Sequence, residues 1–143
     1  MADVTSFPTI TTRVRVHGLN ALSFKCAETI TAGMVVDIDN DGNIVAGNSA
    51  DTKVPIGVAD TNGATNETIT VNTIGTICYV ANEDDTTAIG EGTTLAVSDT
   101  DGTVVALAGG ADSDEYLIGL ALTDISGDGW GLCLIRPQLS TTA

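Results

Sequence analysis

Aromatic side chains are scarce. Phe, Trp and Tyr make up 3% of the 143 residues, although 43% of the chain is hydrophobic. A core must therefore be built from Val, Ile, Leu and Ala, and an exposed aromatic platform for sugars is poorly supplied. Positive charge is scarce too: five Lys and Arg stand against nineteen Asp and Glu, for a net charge of −14. Such a chain is not expected to bind nucleic acid unaided, because phosphate binding needs cations that release counterions. Histidine occurs once, at His17, with no evident Ser or Cys partner. No GxSxG, HExxH, P-loop or Rossmann pattern occurs, so no catalytic residues are expected and the chain is not read as an enzyme. The three cysteines, Cys26, Cys78 and Cys133, form no CxxC pair. They read as small buried thiols, and neither a metal nor a cofactor is expected. No run is long enough to span a membrane, and "MADVTSFPTITT" has neither the basic start nor the apolar run of a signal peptide. Synthesis in a host cytoplasm and no membrane partner are expected.

What is abundant is Gly, with 16 residues, together with Thr and β-branched apolar residues. That mixture favours strands and tight turns. From Thr31 the chain reads strand, turn, strand: "GMVVDI", "DNDG", "NIVAG", then "TKVPIGVAD", "NETITVNTIG" and "TICYVAN". The second half repeats the plan, with "GTTLAVS", "DTDG", "TVVALAG", "EYLIGLALT" and "GWGLCLIRP". Gly33 matches Gly92, Asp41-Gly42 matches Asp101-Gly102, and "PIGVA" matches "LIGLA", an offset of about 60 residues. The expected fold is all-β: a small β-barrel of two duplicated strand-turn-strand halves that complete each other's sheet, with an extended N-terminal arm. At most one short helix is expected, near Thr86–Ile89 with Asp85 as its cap.

The charge is divided unevenly. Residues 1–25 hold Asp3 against Arg13, Arg15 and Lys25, a net of +2, whereas residues 26–143 carry −16. Two regions follow: residues 1–25 as an arm and docking strand, and residues 26–143 as the duplicated barrel. In "TRVRVH" the alternation places Arg13, Arg15 and His17 on one strand face and Val14 and Val16 on the other. Phe7, beside Pro8, is a single apolar anchor. An arm with no core of its own either docks on a partner or frays, and both readings stand. Tyr116 and Trp130 each open an apolar run, as core or as a contact with a neighbouring subunit.

The stretch "VVDIDNDGNIV" supports two readings. Asp37, Asp39, Asp41 and Gly42 match the opening of a calcium loop, but its twelfth position is Asn48 where a bidentate Glu is needed. The flanks alternate as strands, and the second copy has Val97 in place of Asp37. The two halves share only Asp-Gly. Asp41-Gly42 and Asp101-Gly102 are therefore read as tight hairpin turns in which both central residues take positive φ. A weak surface cation site at Asp37, Asp39 and Asp41 is the alternative.

"TAGMVVDIDNDGNIVAG…VPIGVADT", "ITVNTIGTICYV" and "IGEGTTLAVSDTDGTVVAL…YLIGLALTDISGDGWGLCLI" together resemble the small capsid decoration (cement) proteins of tailed double-stranded DNA viruses of bacteria and archaea. The order of elements carries the resemblance, over roughly residues 28–136. It implies a structural virion protein on the outer capsid surface that bridges major capsid subunits and stabilises the expanded head. Its partners would be the major capsid protein and copies of itself, with a trimer favoured. The arm, through Phe7, Arg13, Arg15 and His17, would add a strand to the shell. The alternative is another virion-surface module: a head-fibre or turret base, or a glycan-binding β domain. The acidity suits a hydrated particle surface and is compatible with a halophilic host.

Overall fold

A computed structural model describes residues 7, 14–18, 20–83, 86–107, 115–127 and 129–140. Half of it is strand and none is α-helix, so the nearly all-β expectation holds. Eleven strands follow in chain order: β1 (Arg15–His17), β2 (Ala21–Lys25), β3 (Val35–Ile38), β4 (Ile44–Ala46), β5 (Gly57–Ala59), β6 (Thr68–Asn72), β7 (Ile77–Ala81), β8 (Thr94–Val97), β9 (Val104–Ala106), β10 (Glu115–Ala121) and β11 (Trp130–Ser140). They do not complete one another in a single sheet. A six-stranded sheet has the order β1-β7-β11-β10-β8-β9, and a five-stranded sheet has the order β2-β6-β5-β3-β4. Every named ladder is antiparallel, and the β3–β4 and β8–β9 pairs are hairpins closed by short loops. One parallel bridge curls each sheet toward closure: Cys26 to Ile44 in one, Asn82 to Val104 in the other.

The apolar residues separate into two clusters. One gathers Cys78, Val80, Leu95, Ile118, Cys133 and Ile135 of the six-stranded sheet with Val35 and Val58 of the five-stranded one, so it lies between the sheets. The other holds Val36, Ile44, Ala59, Ile69 and Val71 with Cys26 and Ile30. Neighbours in β3 thus face different cores: Val35 looks to the first and Val36 to the second, and both are fully buried. A strand covered on both faces has no reason to alternate polar and apolar residues.

The bound of at most one short helix holds, and none forms near Thr86–Ile89. Ile89 makes an isolated bridge to Ile125, and residues 86–88 hold no helix; Asp85 lies outside the described residues. Among the described residues the one helical turn is a 3-10 turn at Ser49–Asp51, started by Asn48, whose side chain accepts from the Ala50 amide. The sequence signal there is an Asn N-cap followed by Ser and Asp.

Candidate docking surface

The chain segment from β1 to β2 ends both sheets at once. β1 is the terminal strand of the six-stranded sheet and β2 of the five-stranded one. β1 pairs with β7, with Arg15 opposite Cys78 and His17 opposite Ile77. The strand in "TRVRVH" therefore has a partner inside the chain, and only its outer edge pairs with no described strand. The Arg/Val alternation also breaks. Val14 is buried at 2% exposure, but Val16 is 52% exposed. The register shifts between Arg15 and His17, and such a bulge turns the next side chain out of the pleat. His17 is exposed on this edge and Arg15 is partly exposed. Arg13 lies outside the described residues. Two further apolar side chains flank the segment: Leu22 on β2 and Ile74 in the β6–β7 turn, each 58% exposed. The Asn20 amide donates to the Ile74 carbonyl at 2.7 Å and ties that turn to the segment. From Arg15 to Lys25 there are two formal cations, His17 and no acid.

Phe7 packs edge-on against Trp130, with ring centroids 5.3 Å apart and planes at 78°. The Trp130 ring lies over Gly33, whose φ is +89° and whose Cβ, if present, would overlap the indole. Gly33 thus provides both a left-handed turn and room for the ring. Sequence reasoning singled out Phe7 as an anchor and Trp130 as a packing residue, but nothing in their spacing joins them.

The two Asp-Gly turns differ from each other and from the expected type. At the first, the Gly42 amide donates to the Asp39 carbonyl (3.3 Å) and the Asp39 amide to the Asn43 carbonyl (2.8 Å). Gly42 has φ +82°, but Asp41 is not at positive φ. This is a three-residue loop with Gly in the left-handed position, so the expected positive φ at both central residues is corrected. The reason is the Asp39 carboxylate: its Oδ1 accepts from the Asp41 and Asn43 amides, each at 2.9 Å, and sets the turn one residue earlier. The second loop is one residue longer, closing between Ser98 and Thr103. Ser98 Oγ accepts from the Thr100 amide there and also bonds the Glu83 carboxylate. Gly102 has φ +76° and is docked inward, its amide donating to the Gly47 carbonyl and its carbonyl accepting from the Val35 amide. Asn48 Nδ2 adds bonds to the Asp99 carbonyl and to Asp101 Oδ1 at 2.8 Å. The second Asp-Gly turn is therefore a joint to the β3–β4 region, whereas Gly42 faces open space.

The three acids of the calcium-like stretch are dispersed in role. Asp37 is fully buried on β3, Asp39 holds the turn, and Asp41 is exposed. Among the described residues, no group of three or more His, Cys, Asp or Glu is arranged to hold a metal ion. Asp37 Oδ2 accepts from the Asn48 amide at 3.4 Å, and its Oδ1 has no partner. Burial pushes its carboxyl up to about 6. The Asn48 amide and Lys53 oppose the rise, and Asp51 adds to it. Cys78 and Cys133 face each other across β7 and β11 as free buried thiols. Burial raises both, Cys133 to about 12.

The fold matches solved virion proteins. The head fibre gp8.5 N base of bacteriophage phi29 superposes with a TM-score of 0.58 at 17% identity, covering 81% of this chain and 92% of that one. A chain of the capsid of Myoviridae phage XM1 superposes with a TM-score of 0.51 at 14% identity, covering 95% and 92%. At these identities the likeness is one of fold. No curated protein sequence matches. The phage cement protein family matches residues 16–136, from the β1 edge through the end of the apolar part of β11. The chain belongs to the phage cement protein family.

Proposed function

We propose that this protein binds the outer surface of a viral capsid, bridges major capsid subunits and stabilises the expanded head, and that it does so as a homo-oligomer, most simply a trimer. The observation that carries the reading is the family match across nearly all of the described fold. In this reading the residue 1–25 segment makes the contact. Its Phe7, Arg13, Arg15 and His17 combine an apolar anchor with a local excess of cations that the acidic remainder lacks, and the outer edge of β1 pairs with no described strand. The Asp-Gly turns at Asp41-Gly42 and Asp101-Gly102 shape the body and take no part in the contact. Particles should contain this chain at a copy number near that of the major capsid protein. Heads stripped of it should release DNA at lower temperature, and adding it back should restore them. A copy number near that of a tail component would refute the bridging role. The likeness to a head-fibre base favours a second reading, a fibre-anchoring module, for which a low copy number is the expected result.

A further inference from the structure

The six-stranded sheet has a second face, turned away from the core, and that face is apolar. On β11, Gly131, Cys133 and Ile135 are buried, while Leu132 and Leu134 between them are partly exposed. On β7, Cys78 and Val80 are buried, while Ile77 and Tyr79 are partly exposed. The register sets these side by side: Tyr79 opposite Leu132, Ile77 opposite Leu134, and Leu134 opposite Leu120 on β10. Leu122, 37% exposed, follows one pleat beyond Leu120, its amide on the Leu132 carbonyl. The five strand residues belong to neither core cluster. An antiparallel sheet that meets water on one face carries polar residues there. From β7 to β10 the residues of this face are apolar, and the first polar one is Thr94 on β8, opposite Leu120, in a chain with nineteen acids to place elsewhere.

We infer that this outer face, centred on Tyr79, Leu132 and Leu134, is a docking face for a capsid subunit, which lays an apolar surface on it and sets carboxylates against Arg15 and His17. The inference rests on the capsid-binding reading above and adds the surface and the chemistry of its partner. Charge selects the occupant. The face is bordered by β1, where His17 stands in register with Ile77 and no acid lies between residues 15 and 25. A partner that matches it is neutral at its centre and acidic at that margin. A second copy that presents this same face is disfavoured as occupant, because its margin brings Arg15 and His17 again and no acid between residues 15 and 25 to set against them. The outer edge of β1 continues the face sideways, so an extended acidic segment of the same subunit can add to it.

The test uses the full chain and purified capsids that lack it. Binding is read by co-sedimentation and self-association by analytical ultracentrifugation, with circular dichroism confirming the fold. Leu132→Asp should weaken capsid binding at least tenfold. Arg15→Glu should weaken it less, and its defect should widen as salt is lowered. If Leu132→Asp does not fold, Leu122→Cys labelled with a bulky maleimide after folding serves instead and should also lose binding. Wild-type binding by folded face variants overturns the inference, as does a changed oligomeric state with capsid binding intact, which would assign the face to a second copy. Stronger binding after removal of residues 1–13 that is still insensitive to Leu132→Asp would overturn it and assign the face to the arm. If the wild-type chain does not sediment with capsids, the capsid-binding reading itself fails.

Discussion

Replacing Asp37 with Asn should stabilise the protein, and only as pH rises above about 4. Asp37 is fully buried, one carboxylate oxygen is unpartnered, and the other has a single long bond from the Asn48 amide. The folded-state pKa is raised from 3.8 to about 6, chiefly by burial. The fold therefore binds this proton more tightly than the unfolded chain does. Stability is highest when the group is protonated and is lost as pH rises between those two values. At roughly 1.4 kcal/mol per pH unit, the ionised carboxylate costs up to about 3 kcal/mol at pH 7.5. Asn has the same shape, keeps an acceptor for the Asn48 amide and carries no charge. For a chain of this length, about 3 kcal/mol corresponds to roughly 10 °C in Tm. The assay is paired thermal melts of wild type and Asp37→Asn from pH 4 to pH 8. The gap should be near zero at pH 4, open between pH 4 and 6, and stay constant above pH 7. Comparing the two proteins at each pH cancels the general relief of acidic self-repulsion on acidification. A gap of zero at pH 7.5, or one that does not vary with pH, would refute the argument that burial of this charge dominates.

The glycines give a graded set. Gly42→Ala meets only backbone strain, about 1 kcal/mol, because nothing lies near its Cβ. Gly102→Ala adds overlap with Met34, and Gly33→Ala adds overlap with Trp130, so both should cost about 2–4 kcal/mol in urea melts. Phe7→Ala should cost about 1 kcal/mol. Because Trp130 is the sole tryptophan, the loss should also appear as increased acrylamide quenching of its emission. The three buried thiols should resist a disulfide reagent at pH 8 in the native state and all react once the chain is unfolded, as counted by the chromophore released.

Much of the fold was legible because its local signals are strong. Gly, Asp and Thr punctuate β-branched runs, and each hairpin from Val35 to Ala46 and from Thr94 to Ala106 lies where an Asp-Gly step separates two such runs. What failed depended on side chains acting beyond their nearest neighbours. The turn at Asp41-Gly42 changes type because a carboxylate two residues upstream takes its amides. Val16 turns outward because of a bulge set by pairing with β7, a strand some sixty residues away along the chain. The short turn allowed near Thr86–Ile89 gives way to a bridge that Ile89 makes with Ile125, which no local propensity can report. The division into two sheets is likewise a matter of long-range pairing.

The outer face shows the opposite case, in which the signal was present in the sequence and its meaning was not drawn. "TICYVA", "YLIGLAL" and "GLCLI" are apolar runs without alternation. A strand with one solvated face alternates; a strand that does not is covered on both sides. For β3 the second cover is internal, since Val35 and Val36 face different cores of the same chain. For β7, β10 and β11 only one face finds a core among the described residues, and Tyr79, Leu132 and Leu134 remain partly exposed. The same rule that assigns Val35 and Val36 to two cores within the chain therefore asks for a second cover over β7 and β11. In a capsid-associated family, a neighbouring subunit of the shell can supply it.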